Sequence, residues 1–222
     1  MLGNNGQKQN AIMLQLNHFT KSYNGNLVLK IENLLLPHGI YWLKGRNGSG
    51  KSTLLKSIAG IIAFEGEIAV DEKKLKTQRV DYLRQVNFAA AEPLFPDFLT
   101  GMEMIKMFAQ AKYAPPKQED FWIEEMGMKS YIHQPLGGYS SGMLKKLSLV
   151  LAFIGKPKLI LLDEPLNALD VESLSVLYNW INKVFEENGT SFILSSHQEI
   201  YPQNFPELKL LKIEDSLLKT SA

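Results

Sequence analysis

The chain has 222 residues, of which 45% are hydrophobic and 21% are charged, a composition typical of a globular protein with a sizeable core. Lys and Arg number 24 and Asp and Glu number 23, and the formal net charge of +1 argues against a nucleic-acid-binding protein. The absence of cysteine excludes disulfides and thiolate metal sites. No apolar run is long enough for a signal peptide or a bilayer-spanning helix, so we expect any work at a membrane to depend on a partner chain.

The distribution of apolar residues predicts strands that alternate with helices. Short apolar or alternating segments predict strands at residues 12–16, 28–31, 40–43, 66–70, 86–89, 159–162 and 192–195. Apolar residues at helical spacing predict helices at residues 52–61, 102–111, 121–126, 144–154 and 171–187. This order indicates an α/β fold in which helical crossovers connect the strands of a mostly parallel sheet.

Residues 92–156 differ from the rest of the chain, because prolines interrupt them and helical periodicity replaces strand character. We interpret this stretch as a helical subdomain inserted into a strand-rich core formed by residues 11–91 and 157–222. Residues 1–222 are then a single domain. After His197 we expect only a short tail, which includes residues 208–213 and 216–222.

A glycine-rich loop lies between the strand predicted at 40–43 and the helix predicted at 52–61. Its sequence, Gly45-Arg46-Asn47-Gly48-Ser49-Gly50-Lys51-Ser52-Thr53, matches the phosphate-binding P-loop pattern. Glycines let successive backbone N–H groups surround a β-phosphate, and the helix directs the positive end of its dipole at the same anion. We expect Lys51 to bridge the β- and γ-phosphates, Ser52 to ligate Mg²⁺ and Thr53 to contact the α-phosphate. The alternative is a glycine-rich turn that happens to precede a helix.

Two adjacent carboxylates, Asp163 and Glu164, end the apolar strand at 159–162. The strand can deliver Asp163 to the Mg²⁺ side of the phosphates, where it holds the ion through water. Glu164 leaves the strand one residue later and can polarise the attacking water. The alternative is a solvated strand end.

Further motifs follow one another in the order found in the ATP-binding-cassette (ABC) ATPase family, and the chain resembles that family from about residue 14 to His197. Tyr139-Ser140-Ser141-Gly142-Met143 is similar to the family's signature segment, although by itself it reads as a helix N-cap. Asn167-Ala168-Leu169-Asp170 is similar to its D-loop, and Ser195-Ser196-His197 to its switch histidine. The resemblance implies a P-loop NTPase (RecA-like) core with an antiparallel N-terminal β portion. It also implies that His197 lies near the γ-phosphate and that Tyr23 stacks on adenine.

The sequence departs from the family pattern where a glutamine normally senses Mg²⁺ and the γ-phosphate. Aligning Leu99-Thr100-Gly101-Met102-Glu103 with the family's usual segment puts Ala91 at that position, with Glu92 beside it. Gln85 is expected to lie before the strand at 86–89 and not after it, so it is not the missing glutamine. Met143 also stands where a glutamine is common in the signature segment. The first departure affects coupling to a membrane partner more than ATP binding.

The resemblance implies a mechanism in which two subunits pair head to tail around two ATP molecules. Each ATP then contacts Lys51, Ser52, Asp163 and Glu164 of one chain and Ser140, Ser141 and Gly142 of the other. The leading interpretation is the Mg²⁺-dependent ATPase subunit of a membrane transporter, peripheral at the cytoplasmic face through a separate spanning subunit. The signature variant and the short helical subdomain resemble exporter-type cassettes. The alternatives are a soluble ABC ATPase that acts on ribosomes or DNA, and a weakly catalytic nucleotide-binding regulatory module.

Overall fold

The computed structural model describes residues 12–197, 205 and 208–220. The described strands form one sheet in the spatial order β5-β4-β1-β2-β10-β9-β3-β8-β7-β6. The strands are β1 (Ile12–Tyr23), β2 (Asn26–Pro37), β3 (Ile40–Lys44), β4 (Glu65–Val70), β5 (Lys73–Lys74), β6 (Val86–Ala89), β7 (Leu159–Asp163), β8 (Ser191–Ser195), β9 (Leu208–Glu214) and β10 (Leu217–Thr220). The helices are α1 (Lys51–Ile58), α2 (Arg79–Gln85), α3 (Gly101–Ala111), α4 (Gln118–Glu125), α5 (Ser141–Phe153) and α6 (Val171–Asn188), with a 3-10 turn at Leu136–Gly138.

The strands β6, β7, β8, β3 and β9 pair in parallel and form the centre of the fold. Every residue of β7 and of β8 is buried, because both faces of this part of the sheet are covered. Alternate residues of β7 face different cores. Ile160 and Leu162 belong to the core beneath α5 and α6, whereas Leu159 and Leu161 belong to the core that contains α1 and the antiparallel strands.

The N-terminal strands form the antiparallel portion of the sheet, as predicted. β1 pairs antiparallel with β2 and with β4, and β4 pairs antiparallel with β5. β1 and β2 are much longer than the segments predicted at 12–16 and 28–31. Their exposed outer residues, such as Asn33 in β2, lack the apolar signal on which those predictions depended.

The C-terminal segment does not form the simple tail expected from the sequence. β9 and β10 form an antiparallel hairpin that lies between β2 and β3, where β9 pairs in parallel with β3 and β10 pairs in parallel with β2. The hairpin therefore joins the antiparallel portion to the parallel centre. Leu211 and Ile213 of β9 are buried in the core that contains α1.

The helices begin and end at residues suited to those positions. A capping box at Thr100 and Glu103 begins α3, and the Ser140 and Asp170 side chains cap α5 and α6. α1 ends at Ile58, earlier than the predicted residue 61, and α2 was not predicted. No helix in the part of the chain that the structure describes is long and apolar enough to cross a membrane.

A nucleotide-type cleft at the strand ends

A cleft of about 550 Å³ lies at the carboxyl ends of the central parallel strands. In open parallel sheets this edge is the usual place for a ligand. The lining residues come from the glycine loop and α1, from the end of β1 and the start of β2, and from the segments that follow β6, β7 and β8. They are Tyr23, Val28, Asn47, Gly48, Gly50, Lys51, Ser52, Thr53, Ala91, Glu92, Glu164, Asn167 and His197. The fold therefore gathers most of the site residues predicted from the sequence into one cleft.

The glycine loop connects β3 to α1 through conformations that favour glycine. Gly48 and Gly50 have φ values of 77° and 102°, in the region that side chains rarely adopt. A Cβ on Gly45 would lie 2.5 Å from Ser49 Oγ, a buried atom without a hydrogen-bond partner among the described residues. Lys51 Nζ donates to the carbonyl oxygen of Gly45 at 2.9 Å and to that of Arg46 at 3.4 Å. The loop thus curls back around its own lysine.

Asp163 lies at the end of β7 with 1% of its surface exposed. Its Oδ1 accepts one hydrogen bond from Ser52 Oγ at 3.0 Å and another from Ser195 Oγ at 2.6 Å. The two hydroxyls come from α1 and from β8, so this carboxylate joins the glycine loop to two neighbouring parallel strands. Hydroxyl and carboxylate oxygens are ligands that Mg²⁺ prefers, and Ser52 Oγ and Asp163 Oδ1 lie 3.0 Å apart beside the glycine loop. The pair therefore fits a magnesium ion that Ser52 would ligate directly and that Asp163 would hold through water.

Glu164 adopts a left-handed backbone conformation, with φ of 45°, which is costly for a residue with a side chain. Its Oε2 accepts hydrogen bonds from the backbone N–H of His197 at 3.3 Å and contacts His197 Nδ1 at 2.8 Å. Its Oε1 lies 4.0 Å from Lys51 Nζ. The strained turn brings the Glu164 carboxylate close to His197 and Lys51.

Tyr23 and the segment after β6 line the same cleft. Tyr23 ends β1 with 47% of its surface exposed, and Lys21 Nζ lies 4.4 Å from the centre of its ring. Gln85 ends α2, before β6 begins, as expected from the sequence. Ala91 and Glu92 are the residues that face the cleft after β6, so the departure from the family pattern falls inside the site.

The signature segment begins α5 and lies apart from the cleft. None of Ser140, Ser141 and Gly142 is among the described residues that line the cleft. Ser140 caps the helix by accepting from the Met143 N–H at 3.3 Å, and a Cβ on Gly142 would lie 3.2 Å from the carbonyl oxygen of Ala168. The signature segment therefore packs on the D-loop of its own chain.

Sequence reasoning missed Lys145, a buried lysine on α5 with 1% of its surface exposed. Its Nζ donates to the carbonyl oxygens of Ala90 at 3.0 Å, Ala91 at 3.3 Å and Asp163 at 3.1 Å. Burial lowers the pKa of Lys145 to about 8, so the side chain is still mostly an ammonium at neutral pH. The sequence gives little signal for it, because Lys145 is one of two adjacent lysines, Lys145 and Lys146, near the start of the helix.

The sheet topology and the loop geometry define a P-loop nucleoside-triphosphatase fold. A model of the ABC transporter family matches residues 30–167, more than half of the chain. The chain belongs to the ABC transporter family, and it corresponds to that family's ATP-binding cassette.

Individual relatives and solved structures agree with this assignment. Retinal-specific phospholipid-transporting ATPase ABCA4 of Bos taurus is 31% identical over 83% of this chain, which spans 8% of that protein. Bacitracin transport ATP-binding protein BcrA of Enterococcus faecalis is 31% identical over 83% of this chain, which spans 61% of that protein. An ATP-binding subunit of an ABC transporter matches with a TM-score of 0.83 at 22% identity, over 94% of this chain and 90% of that one.

A dimeric, post-hydrolysis ATP-binding cassette bound to ADP and Pi matches with a TM-score of 0.79 at 21% identity, over 94% of this chain and 98% of that one. At these identities the solved structures establish the fold alone.

Proposed function

We propose that the chain binds and hydrolyses ATP as the nucleotide-binding subunit of an ABC transporter. The observation that carries the proposal is the single cleft in which Lys51 and Ser52 meet Glu164 and, through Ser52, Asp163. A purely structural glycine turn does not require two carboxylates and a histidine at the same strand ends. The relatives reported above are themselves named for transport.

The glycine loop is the proposed binding site for the triphosphate. The backbone N–H groups of residues 45–50 and the N-terminus of α1 attract the β-phosphate. Lys51 Nζ exchanges its contacts with the Gly45 and Arg46 carbonyls for the β- and γ-phosphates, and Thr53 contacts the α-phosphate. Tyr23 offers its exposed ring to the adenine at the other end of the cleft.

Ser52 and Asp163 are the residues that hold Mg²⁺ in this proposal, because their oxygens already lie together at the glycine loop. When bound, the ion neutralises charge on the phosphate oxygens. Ser195 keeps the Asp163 carboxylate in place by donating to the same oxygen that Ser52 approaches.

Glu164 is the proposed general base. His197 engages Oε2 through both its backbone N–H and its ring, and this fixes the orientation of the carboxylate. Oε1 is then the oxygen that orients and polarises the attacking water beside the γ-phosphate. His197 lines the same cleft as the glycine loop, and in this proposal its side chain contacts the γ-phosphate.

The site is completed in this proposal by a second copy of the chain or a homologous subunit, arranged head to tail. Ser140, Ser141 and Gly142 lie outside the cleft of their own chain but form a helix start suited to an anion. The γ-phosphate of the ATP in the partner's cleft supplies the negative charge that holds this segment, and hydrolysis of that ATP releases the segment. The dimeric cassette among the structural relatives supports this arrangement.

We propose that a separate transmembrane subunit docks on the inserted helical subdomain, residues 92–156, and holds the chain at the cytoplasmic face of the membrane. Leu94 and Phe98, just after Ala91 and Glu92, are 94% and 80% exposed. Large apolar side chains at such exposure are costly unless a partner covers them. We retain export as the proposed direction of transport on the basis of the sequence resemblance.

The experiment that tests the proposal is the substitution Glu164→Gln, which removes the base while keeping the shape of the side chain. We expect ATP binding to be unchanged, the hydrolysis rate to fall by about 100-fold or more, and an ATP-bound dimer to persist. The measurements are phosphate release and sedimentation in Mg·ATP.

The matched control is Glu187→Gln, because Glu187 is an exposed carboxylate on α6 outside the cleft. It should hydrolyse ATP at the wild-type rate. Wild-type turnover in Glu164→Gln would remove the assigned role of the base, and no ATP hydrolysis by the wild-type chain would remove the proposed function itself.

A further inference from the structure

The peptide group between Asp163 and Glu164 is held from both sides. Its carbonyl oxygen accepts from Lys145 Nζ at 3.1 Å, and its N–H donates to Ser195 Oγ at 3.0 Å. The C=O and N–H of a trans peptide belong to one rigid plane and point in opposite directions. Two hydrogen bonds at opposite ends therefore fix the orientation of the whole plane.

The orientation of this plane determines where the Glu164 side chain points. Rotation of the plane about the Glu164 N–Cα bond changes φ, and φ is 45° in the structure. That conformation is strained for a residue with a side chain and persists only where the surroundings enforce it. Residues with a side chain ordinarily adopt negative φ, so we expect loss of these hydrogen bonds to let φ of Glu164 change and its carboxylate move relative to Lys51 and His197.

We propose that Lys145 is a positioning residue for ATP hydrolysis, which holds the Asp163–Glu164 peptide in the conformation that aims the base. The proposal rests on the proposed function. Lys145 does not touch the nucleotide in this role and acts through the backbone of Asp163. Its other two hydrogen bonds, to the carbonyls of Ala90 and Ala91, hold the segment after β6 against the end of β7.

The position of Lys145 gives this role a further consequence. Lys145 lies on α5, the helix that begins with the signature residues Ser140 and Ser141. If α5 shifts when the signature segment binds a partner's nucleotide, the hydrogen bond from Lys145 to the Asp163 carbonyl oxygen changes with it. Ala91 has no polar side chain with which to make such a link, and the lysine makes it through the backbone instead.

The test is Lys145→Met, which keeps the length of the side chain and removes its hydrogen-bond donors. We expect kcat to fall by about tenfold or more while KM and the affinity for ATP stay within about threefold of wild type. Lys145→Arg, which keeps the charge and the donors, should recover a large part of the lost kcat. If circular dichroism shows that Lys145→Met is unfolded, Lys145→Gln replaces it under the same criteria, because the glutamine amide is one atom shorter than the lysine side chain and has two donors for the three carbonyls, so kcat should still fall.

The matched control is Lys112→Met. Lys112 is a partly buried lysine that also donates to backbone carbonyls, those of Leu83 and Val86, but it lies outside the nucleotide cleft. Its removal should lower thermal stability and leave the kcat of the isolated chain near wild type. A wild-type kcat in Lys145→Met, or losses of kcat and ATP affinity that run in parallel, would overturn the positioning role. A wild-type chain that hydrolyses ATP and a Glu164→Gln variant that does not would show that such a result concerns Lys145 alone.

Discussion

The lowered pKa of Lys112 predicts a pH dependence of folding stability that can be measured directly. Lys112 is the first residue after α3, and its Nζ donates to the carbonyl oxygens of Leu83 and Val86, the latter at 2.8 Å. Burial lowers the pKa of Lys112 from 10.5 to about 8. The perturbation is Lys112→Met, which removes the titrating group and keeps the apolar length of the side chain.

Whether the free energy of unfolding rises or falls with pH depends on the number of protons bound by the folded and the unfolded chain. Between pH 8 and 10.5 the folded chain has released the Lys112 proton while the unfolded chain still holds it, so the free energy of unfolding rises with pH. For pKa values of about 8 and 10.5, the rise between pH 7.5 and 9.5 is about 2 kcal/mol. Lys145, with its pKa also lowered to about 8, adds a similar rise in the wild-type chain. Buried tyrosines with raised pKa values, such as Tyr41 at about 12, oppose the rise only near and above pH 10.

The assay is urea unfolding of the wild type and of Lys112→Met at pH 7.5, 8.5 and 9.5 (about one-unit steps across the window set by the two pKa values). The variant should lose about half of the wild-type rise, or about 2 kcal/mol. Lys106→Met, which alters an exposed lysine on α3, should keep the wild-type slope. An equal rise in wild type and Lys112→Met would refute the inference that burial holds this lysine's pKa low.

Two further substitutions test the glycine loop and the sheet. Lys51→Ala should weaken ATP binding by about 10- to 100-fold, because a charge-assisted contact with the phosphates is lost, and titration with a fluorescent ATP analogue measures this. Unchanged affinity would contradict the assignment of the loop. Gly66→Ala should destabilise the fold by about 3 kcal/mol or more, because φ is 91° and a Cβ would lie 2.5 Å from the Asn17 carbonyl oxygen. Thermal unfolding measures it beside Gly138→Ala, where a Cβ meets no atom within 4 Å, and equal melting temperatures would refute the steric argument.

The residues of the cleft were predictable because their signals are local. The glycine loop, the pair Asp163 and Glu164 and the histidine after β8 each follow a short apolar strand, and parallel strands bring their carboxyl ends to one edge. No long-range information was needed to place them together. Family resemblance added the roles expected of Tyr23 and of the signature segment, which no local pattern supplies.

The C-terminal hairpin shows where sequence reasoning fails. β9 carries an alternating apolar pattern, but its partners are β3 and β10, and β3 lies far away in the sequence. A pairing of that kind depends on the whole sheet, and the segment after His197 was therefore mistaken for a tail. The contacts of Lys145 were not predictable for the same reason, because its three carbonyl acceptors lie after β6 and at the end of β7.

The two halves of the proposed dimeric site meet inside one chain at Lys145. One half is the cleft, where Ser52 and Asp163 are joined by a hydrogen bond of 3.0 Å. The other half is the start of α5, whose serines lie outside that cleft. Lys145 donates from α5 to the Asp163 carbonyl oxygen. This hydrogen bond connects the backbone of the proposed magnesium-binding residue to the helix that begins with the signature segment. We expect a displacement of either half to reach the other through the hydrogen bonds of Lys145, so Lys145→Met should still bind ATP and form the ATP-bound dimer in sedimentation but release phosphate slowly.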